Sequence, residues 1–115
     1  MLVAAFTIFT VVAVLGAVQA LDILGGRYAS WSYTLAHGAL AVLGAAVVIG
    51  AYLAGDPRVI TLIGMVVVIA PVGFYMALQR RHGRQAPRAL LYAHGGLAVV
   101  CYLLLGYYAL TAAAS

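Results

Sequence analysis

Four apolar runs, over about residues 1–21, 33–54, 59–78 and 89–110, take up nearly all of this 115-residue chain. A hydrocarbon core ~30 Å thick is crossed by about 20 apolar residues in a helix, so each run is long enough for one span. Lipid offers no partner to a free backbone amide or carbonyl, and the spans must therefore be helices. The breaks at 22–32, 55–58 and 79–88 each combine charge with Gly or Pro, the composition of turns. Only six Arg and two Asp are charged, against 67% apolar residues, too little charge for the surface of a water-soluble domain. The fold class expected is an all-α membrane protein, a four-transmembrane-helix bundle. The first run has no basic residue ahead of it and is about twice as long as the core of a secretory signal, so it reads as a span.

Arginine placement gives an orientation. The third break holds Arg80, Arg81, Arg84 and Arg88, and the first holds Arg27, whereas Arg58 in the second is offset by Asp56. Cytoplasmic loops carry the excess of basic residues, which puts both termini outside. That is periplasmic if the chain is a multi-pass protein of a bacterial inner membrane. Tyr28, Trp31 and Tyr33 at one end, and Tyr52, Tyr107 and Tyr108 at the other, fit interfacial aromatic belts. The net positive charge is accounted for by the anionic lipid bilayer, and no nucleic-acid partner is needed.

The two halves of the chain resemble each other without a gap. His94 follows His37 by 57 positions, and at that offset Ala36-His37-Gly38 matches Ala93-His94-Gly95, and Leu40-Ala41-Val42 matches Leu97-Ala98-Val99. Ala13, Gly16, Ala20 and Leu21 fall on Ala70, Gly73, Ala77 and Leu78, and Gly26-Arg27 falls on Gly83-Arg84. The expected organisation is a single transmembrane domain of two tandem two-helix repeats, 1–57 and 58–115. Two spans per unit keep both copies in the same orientation, related by a pseudo-twofold axis along the membrane normal.

That symmetry brings His37 and His94 to one depth, about a turn inside the arginine end of their helices, on parallel spans that can face each other across the bundle. An ionisable side chain inside a membrane marks a functional site by default. Two imidazoles at one height suit a haem iron, which takes a ligand from each side. The expected cofactor is one haem b per chain, with His37 and His94 as axial metal ligands. Near His37 its face carries Gly38, Ala41 and Gly44; near His94 it carries Gly95, Ala98 and Cys101. These small residues leave room for a macrocycle. Gly16 and Gly73 lie in small-residue stripes that serve either close helix packing or clearance of the porphyrin edge. Arg27 and Arg84 could pair with haem propionates, or simply set topology. For the imidazole Nδ1 atoms the expected acceptors are the carbonyls one turn earlier, those of Tyr33 and Leu90.

Inward histidines on parallel helices of a four-helix bundle resemble the membrane-bound b-type cytochromes, including the cytochrome b561 type and the haem-carrying anchors of respiratory enzymes. The likeness covers the chain in outline and rests on the two His-Gly motifs. It departs from the two-haem pattern, which needs a second pair of intramembrane histidines; His82, in the arginine-rich break, reads as an interfacial residue. The resemblance implies electron transfer near the cytoplasmic side, with quinone, other membrane redox subunits or a second copy of the chain as partners. Two other readings stay open: a structural or assembly subunit whose histidines bond across helices, and a small transporter relaying protons through the pair. No catalytic triad, phosphate loop, EF-hand or dinucleotide motif is present, and zinc would lack ligands, since Cys101 lies two turns from His94.

Overall fold

The computed structural model describes residues 1–114, with side chains to residue 112; Ser115, the end of the second repeat, lies outside the described residues. Four helices follow one another: α1 (Leu2–Leu24), α2 (Trp31–Leu53), α3 (Ile60–Arg81) and α4 (Arg88–Ala114). A single 3-10 turn, Pro57–Val59, leads into α3. All four helices have the length and apolarity to cross a membrane; α1, at 23 residues, spans about 34 Å.

α1 and α3 outlast their apolar runs, because backbone geometry, not loss of hydrophobicity, ends them. α1 continues past Asp22 to Gly25, where Gly26 turns left-handed at φ 75°. The Arg27 amide then donates to the Asp22 carbonyl and the Gly26 amide to that of Ile23, a Schellman closure that needs a residue free of Cβ strain. α3 ends the same way at Gly83, with Arg84 donating to Gln79 and Gly83 to Arg80. α2 ends at Gly55, with Asp56 donating to Ala51. Asp56 then caps the next turn by accepting from the Arg58 amide at 3.2 Å. The Arg58 guanidinium, bonded to the carboxylate at 2.7 and 2.9 Å, holds the Asp56 carboxyl below the usual range.

α1 packs on α2 and α4, and α3 packs on the same two helices, which leaves α2 and α4 diagonally opposite. The bundle is 46 Å long and about half as wide, enough to cross the hydrocarbon and reach both interfaces. Large apolar side chains such as Val42, Leu53, Val67 and Leu103 are exposed around it, as lipid contact requires. The tightest packing lies at the end holding both termini, where Ala5, Val48, Val59, Leu62, Leu105 and Ala109 form a buried cluster. The arginine end is fastened differently. Tyr28 donates its hydroxyl hydrogen to the Gly83 carbonyl at 2.7 Å, Arg80 Nε donates to the Ala29 carbonyl at 2.7 Å, and Gln85 reaches the Arg27 carbonyl at 3.1 Å. The Arg80 guanidinium also lies 5.3 Å above the Tyr28 ring.

Candidate functional site

His37 and His94 each sit six residues into their helices, about 9 Å from the helix start. That is nearly two turns, deeper than the sequence indicated, because α2 and α4 begin at Trp31 and Arg88. Across the diagonal the two ring centroids are 6.4 Å apart with their planes tilted by 55°. Both residues are half-buried.

The ring partners differ from those expected. His37 Nδ1 bonds to the Val12 carbonyl of α1 at 2.9 Å, and His94 Nδ1 to the Ile69 carbonyl of α3 at 3.0 Å; the carbonyls of Tyr33 and Leu90 are not used. Each ring leans off its own helix into the neighbouring one, where the glycine four residues beyond the acceptor leaves space. A Cβ at Gly16 would stand 3.0 Å from His37 Cε1, and one at Gly73 2.7 Å from His94 Cε1. A carbonyl can only accept, so Nδ1 carries the hydrogen and a neutral ring keeps its lone pair on Nε2. Neither Nε2 makes a hydrogen bond among the described residues. No buried unpartnered side-chain atom occurs among them either, so both Nε2 atoms remain accessible.

The other candidate residues divide into several groups. Gly16 and Gly73 face the imidazoles themselves. Ala41 and Ala98 are half-buried one turn farther along the histidine faces. Gly38 and Gly95 have nothing within 4 Å of an added Cβ, so they face open space. Gly44 is occupied from the other side by Phe9, whose ring would lie 2.7 Å from a Cβ there, and Cys101 packs against the terminal-end cluster. In the small-residue stripes, Ala13 and Ala70 are exposed to lipid while Ala20 and Ala77 are half-buried. Arg27 is paired with Asp22 at 2.9 Å. Arg84 is exposed and makes no side-chain bond among the described residues. His82 lies outside the pair, exposed, its Nδ1 bonded to the Leu78 carbonyl at 2.8 Å.

Two polar features escaped the sequence reading. Gln19, the one side-chain amide in the first apolar run, accepts from Thr34 Oγ1 at 3.0 Å and donates to Leu15, one turn from Gly16 and from His37 toward the arginine end. Its isolation in an apolar run was the available signal. Thr10 shares a hydrogen bond with Tyr102 at 2.9 Å, beside the stacked Phe6 and Tyr102 rings. As a chemical unit the site offers two imidazole nitrogens without a hydrogen bond among the described residues, on rings whose centroids are 6.4 Å apart, a donor pair that can bind a metal or exchange a proton. No three-residue cluster of metal-ligating side chains occurs among the described residues. No protein-family model, curated protein or solved structure matches this chain.

Proposed function

We propose that this chain is a haem b-binding electron-transfer protein, or such a subunit of a membrane redox complex, with His37 and His94 as axial ligands of one haem per chain. The observation that carries the proposal is the 6.4 Å separation of the imidazoles, each with Nδ1 committed to a carbonyl. Metal–imidazole bonds are about 2 Å long and a ring centre lies about 1 Å behind its nitrogen, so two rings on one metal stand about 6 Å apart. Metal-binding histidines characteristically give their other N–H to a backbone carbonyl or carboxylate, which fixes the tautomer. The donor set therefore fits the group.

When bound, such a haem takes up and releases one electron at a time. The protein's part is to hold both imidazoles neutral and oriented. Arg84, with no partner among the described residues, is better placed than Arg27 to pair with a propionate. The bundle lies in a bacterial inner membrane with its arginine end cytoplasmic and both termini periplasmic, and its two repeats are related by a pseudo-twofold axis. The recurrence of the histidine bonds and Schellman closures at a spacing of 57 supports that symmetry. Electrons would pass locally, at the cytoplasmic side, between quinone or a partner redox subunit and this site.

The cross-helix bonds favour one second reading, in which the histidines only fasten α2 to α1 and α4 to α3. Optical spectra of protein purified from haem-replete cells separate the two. Haem ligation predicts a low-spin spectrum with reducible α and β bands, lost or opened to carbon monoxide in both His37→Ala and His94→Ala, and unchanged in His82→Ala. A colourless wild type, with both alanine variants inserted and stable, would leave the structural reading and remove haem.

A further inference from the structure

We propose that Gly16 and Gly73 are positioning residues, which set the tautomer and direction of each histidine from the neighbouring helix by uncovering the carbonyl four residues before them. The carbonyl of Val12 lies in uninterrupted helix and that of Ile69 two residues before Pro71 inside α3; in α-helical geometry each is the acceptor for the amide hydrogen of the residue four positions on, a bond that Pro71 does not remove. Those residues are Gly16 and Gly73. A second hydrogen can reach such an oxygen only from the side, past the position where that residue's Cβ would stand. The glycines vacate it, and the imidazoles enter edge-on.

The distances locate the effect. An added Cβ at Gly16 would lie 3.0 Å from His37 Cε1 and 3.5 Å from Nδ1; at Gly73 it would lie 2.7 Å from His94 Cε1, 3.3 Å from Nδ1 and 3.5 Å from Nε2. In both cases it meets the ring edge that carries the hydrogen bond. The same element occurs twice, with the histidine 25 residues beyond its acceptor in each half. The ring bonds of 2.9 and 3.0 Å keep the hydrogen on Nδ1 and leave the lone pair on Nε2. What this means for ligation rests on the haem reading; the tautomer itself does not. With a metal on Nε2, losing the Nδ1 bond weakens the ligand, and loss of such supporting bonds commonly costs 10–100-fold in metal affinity.

Nitrogen NMR of the full-length, histidine-labelled protein in lipid nanodiscs, in its reduced state, reads the tautomer directly. The wild type should show a hydrogen-bonded, protonated Nδ1 on both His37 and His94. Gly16→Ala should disturb only the His37 signal and Gly73→Ala only that of His94, the latter more strongly because its contact is closer. The reduction potential should rise in both variants as the ligand becomes a poorer donor. Gly64→Ala, where a Cβ meets nothing within 4 Å, should change neither ring. Protonated Nε2 in the wild type would overturn the proposal even if neither variant folds, and so would unchanged Nδ1 signals in well-folded variants. A protein without haem but with this Nδ1 pattern would end the haem reading while the role of the glycines stood.

Discussion

Gly44 and Cys101 occupy matching positions in the two repeats, yet neither lies beside an imidazole, and their neighbours show what each does. The Phe9 ring fills the space at Gly44, so near that a Cβ would come within 2.7 Å of it. Gly44→Ala therefore overpacks the α1–α2 contact, which typically costs about 1–3 kcal/mol. A lower melting temperature in detergent, with the visible spectrum of the proposed haem unaltered, is the expected result. Loss of the spectrum at full stability would instead place Gly44 in the cofactor site. Sequence was informative about the histidines because an ionisable residue in an apolar run needs a reason. It was uninformative about their partners, because spacing along one helix specifies neighbours three and four residues away. The acceptors at Val12 and Ile69 are fixed only when two helices dock.

Among the elements, the spans were legible nearly to their ends, since apolar length is a direct consequence of bilayer thickness. Their last turns were not, because α1 and α3 stop at left-handed Gly26 and Gly83, a few residues beyond the apolar runs. Arg80 and Arg81 were legible only as part of a sum of charge. In the structure they are unequal: Arg80 joins α3 to the 25–30 loop through the Ala29 carbonyl and the Tyr28 ring, while Arg81 is exposed and makes no such bond among the described residues. Hydrogen exchange should resolve this. Arg80→Ala should speed exchange of the amides around Ala29 and Gly83, with a loss of about 1.5–3 kcal/mol as a charged donor leaves a carbonyl; Arg81→Ala should leave them at wild-type rates. Equal rates in the two variants would mean that the loops are held without Arg80, by Tyr28, Gln85 and the Arg88 contact to the Leu24 carbonyl.

For the whole molecule, the unequal charge of the two ends predicts its placement. Five arginines against Asp22 at one end, and the Arg58–Asp56 pair at the other, should orient the bundle with its charged loops in the cytoplasm. A reporter fused after Ser115 should register in the periplasm; a cytoplasmic signal would reverse the orientation and move the histidine pair toward the outer leaflet. The two ends are also fastened by unlike means, one by buried aliphatic contact and the other by hydrogen bonds between loops. The histidines lie between them. In mechanical terms the helices are beams clamped at both ends, and the cross-helix bonds of His37 and His94 are ties set between the clamps, so each helix pair is held along its length and not at its ends alone.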